Sequence, residues 1–191
     1  MKVIFLDHDG VICLSTEWGG RYKKQEKWGG RKLSMSNREV PLQYRFDNFN
    51  KKAVGVLNQI LEETGAEIVV SSDWKHHANL DELGEYYELQ GIIKKPIAVT
   101  TNLGQCNWYI DKVWIWSPRW DLEMTRVIEI TQFLHDHPEV THWVSIDDLD
   151  MGKNGEEWKD WGLDNFVLTP KGNEGIKQSG IKDKIIQFLN P

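Results

Sequence analysis

The sequence predicts an α/β fold: a doubly wound, mainly parallel sheet carrying small flap or cap insertions. Two observations lead there. Short apolar runs of strand length recur along the chain, and each runs straight into polar or acidic residues. Between them lie stretches whose apolar residues fall at helical spacing, the alternation expected of parallel strands joined by helices. A third observation is scale. At 191 residues, 40% apolar and 27% charged, the chain suits one domain spanning 1–191. A domain of that size buries roughly 70% of its unfolded surface and needs no staples.

The elements follow in order. Val3-Ile4-Phe5-Leu6 is a buried strand stopped by Asp7-His8-Asp9-Gly10. The stretch 15–48 is basic and aromatic, with Trp18-Gly19-Gly20-Arg21 echoed as Trp28-Gly29-Gly30-Arg31, and its glycine pairs predict a hairpin-like flap rather than a helix. From Lys51 to Thr64, Val54, Leu57, Ile60 and Leu61 mark a helix that Gly65 closes. Glu67-Ile68-Val69-Val70 is a second strand, ending at Ser71-Ser72-Asp73. A helix over about 78–89 ends at Gly91. The stretch 97–122 is aromatic and irregular, with strand or hairpin signals at Trp108-Tyr109 and Val113–Trp116. Thr125 is a candidate cap for a helix bearing Val127, Ile130 and Leu134, ended by His137-Pro138. His142–Ile146 is a strand running into Asp147-Asp148, Phe166–Thr169 a further one, and 181–189 a closing helix.

Composition narrows the function classes. No apolar run reaches the roughly 18 residues of a membrane span, and Asp7 and Asp9 interrupt the first apolar stretch too early for a signal peptide. Two cysteines, Cys13 and Cys106, make no disulfide framework, so a reduced, cytoplasmic protein is expected, with no membrane and no obligatory protein partner. The net charge of −6 hides a contrast. Trp18 to Arg38 holds seven basic residues against Glu26 alone, whereas Glu139 to Asp164 holds eight acids against Lys153 and Lys159. Such asymmetry fits carboxylates around a divalent cation facing a basic flap on an anionic substrate, and also fits two solvated loops.

The strand ends carry the chemistry. If the strands are parallel neighbours, Asp7, Asp9, Ser71, Ser72, Asp147 and Asp148 converge on one patch, since ligands of such folds bind beyond the carboxyl ends of the strands. Packed carboxylates repel unless a cation relieves them, and a hard ion such as Mg²⁺ takes oxygen ligands. No P-loop is present. His135-x-His137 lacks the partners of a zinc site, His76-His77 reads as a polar helix start, and Cys13 as packing. The Trp108–Trp120 cluster reads as core or interface rather than a base-stacking platform.

Leu6-Asp7-His8-Asp9-Gly10-Val11, Val69-Val70-Ser71-Ser72 and Ser145-Ile146-Asp147-Asp148 resemble motifs I, II and IV of the haloacid dehalogenase-like (HAD) phosphatase superfamily. Ser71-Ser72-Asp73-Trp74, the Arg126-x-x-Glu129-Ile130 helix start and Phe166–Thr169 are similar to small HAD domains of multifunctional RNA-repair proteins. The resemblance covers about 1–14, 50–91 and 124–190, and leaves 15–49 and 97–122 as insertions. It implies Asp7 as the nucleophile that forms an aspartyl-phosphate, and Asp9 as the general acid and then base. Gly10 gives the sharp turn, and Ser71 and the Ser72 amide bind the phosphoryl oxygens. Asp148 would be the direct Mg²⁺ ligand with Asp7 and the Asp9 carbonyl, leaving Asp147 behind it. Arg126 takes the place of the motif III cation, with Lys75 the alternative. His8 stands where the family has an apolar residue, and its side chain is expected to point away from the nucleophile. The presence of Asp9 favours a phosphatase over a dehalogenase or a P-type ATPase.

The basic and aromatic segment, with Arg21, Lys24, Lys27 and Arg31 as substrate contacts, points to a phosphomonoester on a nucleotide or nucleic-acid end. A small-metabolite phosphatase and a vestigial nucleic-acid-binding module are the alternatives.

Overall fold

The structure, a computed structural model, describes residues 1–101, 107–110, 113–116, 122–152 and 162–190. Five parallel strands form the sheet in the order β3-β2-β1-β6-β7: β1 Lys2–Leu6, β2 Glu67–Val70, β3 Ala98–Val99, β6 His142–Asp147 and β7 Phe166–Leu168. The central strand is apolar on both faces because both are covered. Ile4 and Leu6 pack with Ile68, Val70, Val144 and Ile146 on one side, and Val3 and Phe5 with Val69 on the other. The first side is roofed by α3 (Lys51–Thr64), α4 (Leu80–Gln90) and α6 (Ile181–Leu189). The second is covered by α5 (Leu122–Asp136) through Val127, Ile130 and Phe133. The doubly wound α/β reading is thus the observed architecture.

Three details differ from the sequence reading. The Gly-Gly pairs of the basic segment bracket a helix, α1 (Gly20–Gly29), instead of turning a hairpin. Gly30 adopts a left-handed φ of 68° and donates its N–H to Glu26 O, the common helix-ending geometry, while Tyr22–Lys27 are mostly competent helix formers. A short helix α2 (Leu42–Arg45) follows. Thr125 lies inside α5 rather than at its cap, because Leu122, Glu123 and Met124 extend the helix by another turn. The edge strand β3 was not expected within 97–122. The hairpin signals there correspond to an antiparallel pair, β4 (Asn107–Ile110) with β5 (Val113–Trp116). The role assigned to the Trp108–Trp120 side chains lies outside the described residues, as do Lys153 and Lys159.

The basic segment is tied to the body at both ends. Asn50 donates its backbone N–H to Ile12 O (2.8 Å) and its side-chain amide to Glu17 (3.1 Å), so the two ends of 15–49 meet. Asp47, buried, accepts from Gly19 N, Arg21 N and the Arg21 guanidinium, which fixes the start of α1.

Candidate active site

The sheet register aligns the strand ends. Asp7 N donates to Ile146 O (3.1 Å), Ser71 N to Leu6 O (2.9 Å), Thr100 N to Val70 O (2.9 Å) and Thr169 N to Asp147 O (2.9 Å). Thr100, Ser71, Asp7, Asp147 and Thr169 therefore stand side by side along the carboxyl edge, as a parallel sheet requires. Asp7, Asp147 and Asp148 each offer an oxygen within 4.8 Å of the others. Gly10 brings the first strand's turn against this group. Its φ is +71°, and a Cβ placed on it would fall 2.2 Å from Asp148 Oδ2, so only glycine lets the two turns close together.

Arg126, from α5, offsets part of the charge of this cluster. The Arg126 guanidinium lies 2.8 Å from Asp7 Oδ1, 2.5 Å from Asp147 Oδ2 and 3.3 Å from Asp73 Oδ1. Lys75, the alternative, is held instead by Glu129 and by Thr100 (2.9 Å). Glu129 sits one turn along α5 from Arg126, so the helix sorts the two cations: one goes to Asp7 and Asp147 and the other to a separate buried carboxylate. Burial outweighs Arg126 at Asp7 and pushes its pKa well above the ordinary value, with Asp147, Asp9 and Asp148 adding repulsion. Burial likewise raises Asp147 to about 6, and raises Asp148. Carboxylates pressed together in this way fit a divalent cation with oxygen ligands. Asp147 already engages Arg126 with Oδ2 and accepts Leu149 N on Oδ1 (2.9 Å), and it is fully buried. Asp148 is only partly buried and faces the turn at Gly10.

Asp9 stands outside that trio. The Trp74 indole N–H donates to its Oδ2 at 2.9 Å. Burial raises its pKa, opposed by hydrogen bonds from Trp74 and the Cys13 thiol. Ser71 and Ser72 are both buried, and neither hydroxyl has a hydrogen-bond partner among the described residues. Two unsatisfied hydroxyls at a strand end are costly unless a ligand fills them, and phosphoryl oxygens would. His8 turns its ring into an aromatic cluster: it contacts Phe49, Trp74 and Tyr87, with Nε2 2.7 Å from the Tyr87 hydroxyl. Burial drops it to about 3, so it is neutral. Cys13 is buried, and burial pushes its thiol up, as a packing residue's would be.

The flap cations divide. Arg21 is spent on Asp47, and Lys24 on Phe46 O and Asn48 (both 2.8 Å), although Asp47 is near enough to Asp9 to raise it. Lys27 and Arg31 are exposed toward and beyond the end of α1 and are not brought onto the carboxylates. Sequence reasoning gave no role to Trp74, Asp73 or Asp47. Trp74 was in view within Ser71-Ser72-Asp73-Trp74, but nothing local signals a bond to a residue 65 positions away.

No curated protein and no solved structure matches the chain significantly. The sequence model of one family, described as the HAD domain in Swiss Army Knife RNA repair proteins, matches residues 3–180. That range takes in nearly the whole sheet and every carboxylate described above. The chain belongs to this family of HAD domains.

Proposed function

We propose that the protein is a Mg²⁺-dependent phosphomonoester hydrolase working through an aspartyl-phosphate on Asp7, with a nucleotide or nucleic-acid end as substrate. The observation that carries this reading is Asp7 at the end of the central strand, paired with Arg126 and two residues from a second carboxylate, Asp9. In this reading Asp7 attacks phosphorus, and Arg126 holds both the nucleophile and the incoming phosphoryl oxygens. The Ser71 hydroxyl, without a partner among the described residues, donates to one of those oxygens. Asp9 protonates the leaving oxygen and then takes a proton from the attacking water; burial shifts it in the direction a proton donor needs. Asp148 and Asp7 would hold Mg²⁺, with Asp147 orienting Arg126 behind them. When bound, the ion would supply charge neutralisation between nucleophile and phosphate.

The substrate class is supported by what stands around the site. Trp18 is half exposed, its N–H donates to Cys13 O (3.1 Å), and its ring edge borders Gly172, which itself abuts Gly10. A flat, anchored indole beside the motif I turn suits a base attached to the scissile phosphate. Exposed Lys23, Lys27 and Arg31 suit further phosphates. The family's RNA-repair setting points the same way.

The test is hydrolysis of p-nitrophenyl phosphate with Mg²⁺, followed by a panel of mononucleotides, 3′- and 5′-phosphorylated oligonucleotides and sugar phosphates. EDTA should stop turnover, and Asp7→Asn should lower kcat by about a thousandfold or more. Turnover that survives Asp7→Asn refutes the mechanism. A preference for sugar phosphates moves the metabolite reading ahead, and no turnover on any ester favours a binding module.

A further inference from the structure

We propose that Trp74 is a positioning residue for Asp9: its indole N–H pins Oδ2 as a permanent acceptor, so that Oδ1 is the oxygen that carries the catalytic proton. This rests on the phosphatase reading above. The contact is short and directional, Nε1 to Oδ2 at 2.9 Å. An indole nitrogen donates only. A proton on Oδ2 would face that N–H, so the carboxyl must hold its proton on the other oxygen. The Cys13 thiol, the second group bonded to Asp9, imposes no such choice because it can rotate and can also accept.

The indole itself has little freedom. Trp74 is 2% exposed and stacks on Phe46 (4.8 Å, 19°) and Phe49 (5.3 Å, 25°), with the His8 ring edge-on at 4.7 Å. His8 is braced in turn by Tyr87. An aromatic cluster in the core thus fixes a donor, and the donor fixes a carboxyl. Proton transfer rewards that kind of order, because a misplaced acid loses most of its effect.

The atoms move as follows. Asp7 bonds to phosphorus while the ester P–O bond breaks, and the electron pair stays on the leaving oxygen, which takes the proton from Asp9 Oδ1. In the second step water bonds to phosphorus, its proton returns to Oδ1, and the bond to Asp7 breaks to release inorganic phosphate. Only poor leaving groups depend on that proton. Nitrophenolate leaves readily without it, whereas the alkoxide of a nucleoside does not.

Trp74→Phe keeps a ring in the cluster and deletes the donor. The ratio of kcat/KM on p-nitrophenyl phosphate to kcat/KM on a nucleoside monophosphate, which reports the phosphorylation step and not the shared hydrolysis of the intermediate, should rise about tenfold or more, within the range a positioned acid contributes. In an Asp9→Asn background the same substitution should leave the ratio where Asp9→Asn alone has put it. A ratio unmoved in the otherwise unaltered enzyme, whether both rates fall together or neither does, overturns the proposal and makes Trp74 a packing residue. A second measurement needs neither turnover nor a folded Trp74 variant. In ¹H–¹⁵N spectra the Trp74 indole proton should move upfield in Asp9→Ala, and an unmoved resonance also overturns the proposal. If the unaltered protein hydrolyses neither ester, the phosphatase reading fails, and the indole shift still reports on the contact.

Discussion

Replacing Arg126 with Met tests the electrostatic design of the site. Met fills a similar volume but donates nothing, so the substitution unmasks two buried carboxylates. The guanidinium lies 2.8 Å from Asp7 and 2.5 Å from Asp147, which are 3% and 0% exposed. A charge pair about 4 Å apart at an effective dielectric near 20 contributes about 4 kcal/mol. Breaking a buried pair by removing one partner costs about 3–5 kcal/mol. The arm to Asp73 adds less than about 1 kcal/mol, since that carboxylate is largely exposed. A loss of about 3–5 kcal/mol is therefore expected from urea unfolding near pH ~8 in chelator-treated buffer. The loss should depend on pH. Asp147 is raised to about 6 even with Arg126 in place, and Asp7 well above its ordinary value. Without the cation both rise further, so the folded variant binds more protons than the unfolded chain and loses stability as pH climbs through those values. Its deficit should be full at pH ~8 and shrink toward pH ~5, by about 1.4 kcal/mol for each pH unit over which it holds one extra proton. A deficit below about 1 kcal/mol, or one equal at both pH values, would refute the reasoning.

Gly10→Ala should lower kcat by about tenfold or more, because the new methyl occupies the place of Asp148 Oδ2 and the backbone must hold a left-handed φ. Metal titration of the variant should show a weaker affinity for Mg²⁺, and unchanged kcat with unchanged metal affinity would contradict the close approach. Asp148→Ala should weaken Mg²⁺ dependence more than Asp147→Ala, whereas Asp147→Ala should lose more stability. Equal effects in both assays would remove the distinction between them. Neutralising Lys23, Lys27 and Arg31 to Gln should raise KM for phosphorylated oligonucleotides about tenfold at low salt, fading as salt rises, and should hardly touch p-nitrophenyl phosphate. Equal loss on both substrates would make α1 a structural element.

The sheet and its acidic edge were legible because a central parallel strand is buried on both faces. Val3–Leu6 and Glu67–Val70 can be little else, and their first polar residues fall at the strand ends by necessity. Helix α1 was not legible, since a Gly-Gly pair serves equally as a turn and as a helix bracket, and the choice depends on what packs alongside. Asp47, reaching back to Gly19 and Arg21, makes that choice. Strand β3 is two residues long, too short for any periodicity to show. Arg126 was separable from Lys75 on chemical grounds, but Glu129, which occupies Lys75, gave no sign of doing so in the sequence. The Trp74–Asp9 bond depends on two strand-end turns meeting, and no spacing rule encodes it.

The neck of the basic segment has a consequence for how this domain can change over time. Asn50 closes 15–49 onto Ile12 and Glu17, so the chain beyond the neck begins and ends at one point on the body. Lengthening a loop closed at such a point costs only about 0.6 kcal/mol for each doubling. The exposed stretch 26–32 can be extended, shortened or exchanged while Val40, Arg45 and Phe46 stay packed on the body and the strands and their carboxylates keep their register. If the proposed function holds, variation in what the domain grips is thereby uncoupled from the chemistry it performs, and one core can be refitted to new ligands without being refolded.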